Sequence, residues 1–278
     1  MKNKKIFIAL SNLESPNPIA DYGIELAKHL DRGALLFSTT KVPLYTPPVS
    51  MGKGADNAAS LQMQAVQQDS EQKIKEVYQY SKAKYDRVNY EIEIGFLQTS
   101  VVEKTEEKKP YLAVVEGNSE LTTLHEWFGT YETYLAEQIE SPVLVVPHER
   151  PWRPVKKMLY LMDMVDHKVE NMRILTSIAE ELDAALTVVI IANTDEPEDQ
   201  ANFEQTTAIM KNLLGYNHVD FHRVFTEESA AAVAQLLEST QADWLAFEHK
   251  SYSFLERVLD DYNTKRLILQ SEIPVLVF

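Results

Sequence analysis

The sequence contains no cysteine. This absence excludes disulfide bonds, zinc sites with thiolate ligands and cysteine nucleophiles. The sequence also has no run near the ~18 consecutive apolar residues that a membrane-spanning helix needs. The apolar run at 6–10, behind MKNKK, is too short for the hydrophobic part of a signal peptide, and we predict a first strand there. We therefore expect a cytoplasmic protein that has no contact with membranes.

Positive charge is scarce as well. The chain has 27 Lys and Arg residues against 42 Asp and Glu residues, which gives a net charge of −15. Such a surface repels nucleic-acid backbones, so we expect no nucleic-acid partner, and it disfavours anionic ligands unless a local site overcomes the field. The length of 278 residues and the apolar fraction of 45% are those of a globular protein with one large or two ordinary domains.

The second half of the sequence repeats the first half. Apolar segments such as YLAVVEG and DWLAFEH align in the same order, and two of the four alignments share one offset without a gap. A third alignment is ungapped, and the fourth is predicted to contain one deleted residue. The paired segments are 111–117 with 243–249, 139–147 with 271–278, 4–12 with 156–164, and 26–36 with 178–188. A repeat of this size indicates two domains, because solenoid units have only ~20–50 residues.

We predict a first domain over 1–149 and a second over 154–278. The segment HERPWRPV at 148–155 joins them, and its two prolines favour an extended path. Glu116 and Glu248 occupy the same position in the two repeats.

Each half alternates apolar strands with helix-like segments in one order. The predicted strands are at 6–10, 34–39, 88–94, 158–162, 185–191 and 219–221, and the predicted helices are at 18–30, about 58–84, 98–108, 172–182, about 198–214 and 228–241. A fourth strand, a fourth helix and a fifth strand follow in each half. Asn17 is the predicted N-cap of the first helix, with Pro18 at its first position. This alternation predicts parallel α/β sheets that accept ligands beyond the carboxyl ends of their strands.

With this order, the sequence resembles the universal stress protein family in its tandem two-domain form. The resemblance rests on the opening strand, on LA-x-x-L-x-x-GA-L at 26–35 and on SPVLVV at 141–146, and it covers nearly the whole chain. It implies two tandem doubly wound domains, each a five-stranded parallel sheet of order 3-2-1-4-5 with helices on both faces.

The resemblance also implies a contact between fifth strands, through which members of this family often pair. A tandem chain could form this contact as an intramolecular pseudo-dimer, in which 142–146 and 274–278 cover each other's edges. A homodimer of the whole chain and an unidentified protein partner both remain open.

Nucleotide-binding members of the family carry Gly-x2-Gly-x9-Gly-(Ser/Thr) after the fourth strand and an aspartate after the first. In the first half, Gly117 takes the first glycine position, but Glu120 takes the second. Gly129 and Thr130 match the final pair with one residue fewer in the spacing, and Ser11 replaces the aspartate. A carboxylate close to phosphate costs on the order of 1 kcal/mol or more. The resemblance therefore implies at best weak ATP binding in the first domain.

The second half departs further from the family pattern. His249, Tyr252 and the pair Asp261-Tyr262 replace the glycines and the hydroxyl residue. Only Asp163 keeps the aspartate after the first strand of that repeat. We expect no ATP site in this domain.

We predict a non-catalytic stress-response or regulatory protein that has degraded nucleotide-binding motifs in both domains and no cofactor. The stress-response role follows from the resemblance alone. The alternative is an adenine-nucleotide-binding stress sensor that uses the first domain. The residues that would line its ATP site are Ser11, Thr39, Gly117, Gly129 and Thr130, with Thr39 beside the base.

Other catalytic or metal chemistry has little support in the sequence. His125-Glu126 begins like the zinc-protease motif HExxH, but Gly129 stands at the second histidine position. An acidic cluster after the sixth strand could hold a divalent cation, although capping of the next helix by Asp166 explains it better. Its members are Asp163, Asp166, His167 and Glu170. We therefore predict no metal site and no catalytic residue, and a hydrolase would need a base or metal that we do not find.

Two further segments allow two interpretations each. Trp127-Phe128 could fill the former phosphate pocket, but packing of its loop on the sheet is the interpretation we favour. The segment 42–60 contains prolines and glycines, and it is a surface loop or a lid over the ligand end of the sheet.

Overall fold

A computed structural model describes most of the chain. The described residues are 4–40, 54–117, 135, 138–163, 168–192, 197–225, 229–248 and 273–278. The chain divides into two compact units. The first comprises Met1–Glu116 with Gln138–Ser141, and the second comprises Gly117–Glu137 with Pro142–Phe278. This division follows contacts and not the repeat, so the domain bounds 1–149 and 154–278 stay predictions.

The first unit contains four parallel strands in the order β3-β2-β1-β4. They are β1 at Ile6–Ala9, β2 at Ala34–Thr40, β3 at Val88–Ile94 and β4 at Leu112–Glu116. Every residue of β1 and β2 is buried. Strands covered on both faces favour apolar residues, which explains the apolar runs IFIA in β1 and ALLF at the start of β2.

Three helices connect these strands. They are α1 at Pro18–His29, α2 at Gly54–Lys84 and α3 at Leu97–Lys108. The predicted N-cap of α1 is confirmed, because the Asn17 side chain accepts a hydrogen bond from the Ala20 amide at 3.0 Å. The predicted start of α2 near 58 is wrong by about one turn, since the helix already begins at Gly54.

The second unit contains six strands in the order β5-β10-β9-β6-β7-β8. They are β5 at Val143–Val146, β6 at Lys157–Asp163, β7 at Ala185–Ala192, β8 at Val219–Phe225, β9 at Trp244–Phe247 and β10 at Val275–Val277. Neighbouring strands are parallel except β5 and β10, which are antiparallel with Leu144 opposite Leu276. The helices are α4 at Val169–Leu182, α5 at Pro197–Leu214 and α6 at Ser229–Thr240.

The predicted α/β class with a mainly parallel sheet is confirmed. The fifth strand of the first repeat, β5, is counted with the second unit, so two separate five-stranded domains of order 3-2-1-4-5 stay a prediction. The fourth helix of each repeat lies outside the described residues. Among the residues that the structure describes, no helix has the length and apolar character to cross a bilayer.

The sheet register corrects one detail of the predicted repeat. Ile6 lies opposite Ala34, and its counterpart Met158 lies opposite Leu186. Both pairs are separated by the same number of residues, so 26–36 and 178–188 align without the deletion that we predicted. Hydrogen-bond register aligns backbone positions whatever their side chains are, whereas a comparison of sequences depends on which side chains match.

Candidate functional site

The carboxyl ends of β1 and β4 bring together a serine and a glutamate. Ser11 follows β1 closely, and its Oγ donates a hydrogen bond to Oε2 of Glu116, the last residue of β4, at 2.7 Å. Parallel neighbours end at the same edge of a sheet, which is where ligands of doubly wound folds bind. Glu116 is half-buried and Ser11 is exposed. The predicted site residue Ser11 therefore faces an acid.

The loop from β1 to α1 is organised by two asparagines. Asn12 Oδ1 accepts hydrogen bonds from Asn17 Nδ2 at 2.9 Å and from the Glu14 amide at 3.3 Å. Asn17 is buried at the start of α1. Sequence reasoning identified Asn17 but missed Asn12, although asparagine just before a helix is a known signal for such a turn.

The predicted site residue Thr39 lies near the end of β2. It is buried, with 8% of its surface exposed, and it lies opposite Glu93 of β3. The neighbouring Ser38 donates a hydrogen bond from Oγ to the Leu10 carbonyl at 2.9 Å. The Ser38 hydroxyl thus connects β2 to the residue that follows β1.

The amide of Gly117 is already bonded. Within the second unit it donates to the Val146 carbonyl at 2.8 Å. A glycine in a phosphate loop serves by offering its free amide to the ligand. The first glycine of the predicted motif therefore extends strand pairing in this structure. Gly129 and Thr130, the other motif residues, lie outside the described residues, as do Trp127-Phe128.

The second unit holds a buried acid at the carboxyl end of β9. Glu248 is 3% exposed, and its Oε1 accepts hydrogen bonds from the Tyr160 hydroxyl at 2.9 Å and from the Lys168 amide at 2.8 Å. Burial raises the pKa of the Tyr160 hydroxyl above its ordinary value, and the adjacent Glu248 carboxylate adds to this effect. Two donors thus satisfy a carboxylate that would be costly to bury alone.

The contact with Lys168 places this carboxylate at the start of a helix. Lys168 is the residue before α4, and its own side chain makes no capping hydrogen bond. Amides at a helix start lack partners within the helix and attract negative charge. Glu248 supplies that charge from within the protein, in a position of the kind that an anionic ligand takes in other folds.

Glu116 and Glu248 are equivalent residues of the two repeats, yet their donors differ. Ser11 bonds Glu116, whereas Tyr160 bonds Glu248 and is the counterpart of Ile8. Sequence alignment found the repeated acid but missed Tyr160 as its partner. The signal available in the sequence was Tyr160 itself, a residue with a polar hydroxyl within the apolar run of β6.

The structure describes the remaining predicted residues only in part. The backbone of Asp163 ends β6 opposite Ile191, while its side chain lies outside the described residues. Asp166 and His167 are also not described. Across the described parts of the chain, no group of three or more His, Asp and Glu side chains could hold a metal ion.

Comparison with known proteins identifies the fold. No model of a protein family matches the chain, and no curated protein matches it. A universal stress protein from Archaeoglobus fulgidus DSM 4304 is similar in structure, with a TM-score of 0.58 and 12% identity over 98% of this chain and 95% of that one. A functionally unknown protein from Pseudomonas aeruginosa PAO1 gives a TM-score of 0.57 and 14% identity, over 99% of this chain and 92% of that one.

A third structure agrees with these two. It comes from Pseudomonas aeruginosa UCBPP-PA14 and is provisionally assigned to the universal stress proteins. Its TM-score is 0.54 at 14% identity, over 100% of this chain and 92% of that one. At such identities the likeness establishes the fold over the full length of the chain.

Proposed function

We propose that this chain, which has the fold of the universal stress proteins, is a tandem regulatory protein of a stress response that acts by binding and not by catalysis. The similarity of fold over nearly the whole of two long structures supports the tandem form. We expect it to work in the cytoplasm, to contact an unidentified protein partner and to carry no nucleotide as a resident cofactor.

The buried carboxylate of Glu248 carries this proposal. It lies at the ligand end of the sheet and is bonded to Tyr160 and to the Lys168 amide. A phosphate group at that helix start would have to displace the carboxylate, and leaving a buried partner without its hydrogen bond costs about 1–3 kcal/mol. We therefore expect the second domain to bind ATP weakly or not at all.

The first domain is also altered, but less completely. Its Ser11 is bonded to Glu116, and the Gly117 amide is bonded within the second unit. Glu116 is only half-buried, whereas Glu248 is buried. If either domain binds an adenine nucleotide, we expect it to be the first, through Ser11 and the predicted loop residues.

Recurring hydrogen bonds support the tandem duplication. The Tyr85 hydroxyl donates to the Arg32 carbonyl at 2.7 Å, and the Tyr216 hydroxyl donates to the Ala184 carbonyl at 2.6 Å. These two pairs occupy equivalent positions of the two repeats. The antiparallel pairing of β5 with β10 supports an intramolecular pseudo-dimer, because it joins the fifth strands of both repeats.

Isothermal titration of the whole chain with ATP, with and without Mg²⁺, tests the proposal. We expect no micromolar binding, and the purified protein should release no compound that absorbs at 260 nm after denaturation. Micromolar affinity would reject the proposal in favour of the ATP sensor. In that case Gly129→Leu should abolish binding, and the equivalent change in the second domain, Asp261→Leu, should leave it unchanged.

A further inference from the structure

A cavity in which three of the four charged lining side chains are cationic lies at the end of the first unit opposite the carboxyl-end site. Its volume is about 330 Å³, and it lies where β1 and β3 begin. Its lining residues include Lys5, Gly33, Lys82, Asp86, Arg87 and Asn89. Three of these side chains are cationic and one is anionic, in a chain whose net charge is −15. This local reversal of charge favours anions.

The cations reach the cavity from two directions. Lys82 lies in the last turn of α2 and donates a hydrogen bond to the Asp86 carbonyl, while Lys5 lies just before β1. These parts of the chain lie close together at Gly33, where a Cβ atom would be 3.3 Å from the Arg87 carbonyl oxygen and 3.5 Å from Lys5 Cγ. The three cationic residues therefore line one small space that is open to solvent, and all three are exposed.

Arg87 is held only weakly by its present partner. Its Nη1 is 2.7 Å from Asp31 Oδ1, but the Asp31 side chain is 90% exposed. Exposed ion pairs contribute about 0–1 kcal/mol, so an anion with two or more oxygens can compete for the guanidinium.

The second unit builds the same corner of the fold without two of the three cations. Its Tyr216–Ala184 hydrogen bond matches Tyr85–Arg32, yet the counterparts of Lys82 and Arg87 are Leu213 and His218. The remaining counterparts are Lys157 for Lys5, Ala185 for Gly33, Asn217 for Asp86 and Asp220 for Asn89. The fold of this corner therefore does not require the lysine and the arginine.

The ion pair with Asp31 does not explain Arg87 either. Asp183 is the counterpart of Asp31, and it is paired with Lys156 at 2.9 Å. The pKa of Asp183 is lowered mainly by Lys156, while His218 at the Arg87 position contributes least, so an aspartate at this turn can be neutralised without an arginine there. Lys82 and Arg87 are therefore features of the first unit that the structure common to both repeats does not need.

We infer that this cavity binds a small phosphate-type anion, either inorganic phosphate or a phosphomonoester. The Arg87 guanidinium matches two phosphate oxygens at once, and the two lysine ammonium groups add charge. The volume lies at the lower end of the ~300–1,000 Å³ range of ligand pockets, which fits a small ligand. The site is independent of the proposed function, because it lies away from the carboxyl ends of the strands.

Titration of the whole chain with inorganic phosphate, followed by amide NMR shifts, tests this inference. We expect saturable shifts around Gly33 and Arg87 with a Kd of about 1 mM. The variant Lys82→Leu/Arg87→His carries the residues of the second unit, and its affinity should fall at least about tenfold. The control Lys73→Leu/Lys75→Leu removes two charges from α2 outside the cavity and should bind as the natural chain does.

Three outcomes would overturn the site. They are the absence of saturation, equal affinity in Lys82→Leu/Arg87→His, and identical shifts with sodium chloride at the same ionic strength. Circular dichroism establishes that the variants are folded. If the double variant does not fold, Lys5→Gln gives a second test, with an expected loss of about threefold or more, and unchanged affinity there would also reject the site.

Discussion

Tyr160, in the middle of β6, donates a buried hydrogen bond of 2.9 Å to Glu248, which directly follows β9. The equivalent pair in the first unit is Ile8 and Glu116, where no such bond is available because isoleucine has no donor. Ile8 instead lies against Gly23 of α1. One arrangement of strands thus carries a polar contact in one unit and an apolar contact in the other.

Tyr160→Phe should destabilise the second unit. The change removes one of the two described donors to Glu248 Oε1 and leaves the Lys168 amide as the other. A buried acceptor that loses a partner costs about 1–3 kcal/mol. Urea unfolding followed by tryptophan fluorescence measures this loss. Tyr80→Phe, at a tyrosine that is 39% exposed, is the control and should change little; equal midpoints for the two variants would contradict the expectation.

The same tyrosine should make the protein sensitive to alkali. Its pKa is raised in the folded state, mainly by burial and then by Glu248, so the unfolded chain releases this proton first. The stabilisation is complete below the unfolded pKa of about 10 and is lost as the pH rises above that value. Urea midpoints measured from neutral to strongly alkaline pH should fall more steeply in the natural chain than in Tyr160→Phe. Parallel curves would show that Tyr160 is not the group responsible.

Gly23→Ala should destabilise α1 against the sheet. A Cβ atom there would lie 2.5 Å from Ile8 Cδ1 and 2.6 Å from Cγ1, which is too close for either atom to remain in place. Overpacking of this kind costs about 1–3 kcal/mol and outweighs the ~1 kcal/mol by which alanine favours a helix.

The double variant Ile8→Ala/Gly23→Ala provides the control for that prediction. Ile8→Ala alone leaves a cavity, and Gly23→Ala partly fills it. The two costs should therefore sum to more than the cost of the double variant, by about 0.5–3 kcal/mol. Additive thermal-denaturation results would mean that the helix moves away instead.

Tyr85→Phe and Tyr216→Phe should have similar effects in the two units. Each removes a hydroxyl that donates to a main-chain carbonyl, of Arg32 in the first unit and of Ala184 in the second. The expected loss is about 0.5–1.5 kcal/mol for each bond. Hydrogen exchange should report faster opening only in the unit that carries the substitution, and equal effects on both units would contradict the equivalence.

Several parts of the fold could be predicted from local sequence. Apolar runs identify β1 and the first four residues of β2, and Asn17-Pro18 marks the start of α1, because burial on both faces and helix capping depend on residues close in the chain. The start of α2 could not be placed, since no N-cap residue precedes Gly54 in a clear pattern. The repeat was visible because order and spacing survive when individual side chains change.

The candidate site was predicted less well for a physical reason. The alignment identified Glu116 and Glu248 as equivalent but could not assign their donors, which come from other strands. Tyr160 is separated from Glu248 by 88 positions, and Ser11 from Glu116 by 105. No periodic pattern connects residues so far apart, because their contact depends on how the strands are ordered and aligned.

The sequence by itself determined the α/β class, the repeated order of strands and helices, and the acidic balance of charge, since each follows from composition or from short-range periodicity. Only the tertiary structure decided that Glu248 is buried against Tyr160 and that Lys5, Lys82 and Arg87 surround one cavity. These groups meet because the packing of parallel strands and helices brings together residues that are far apart in the sequence. No single segment of the sequence determines that geometry.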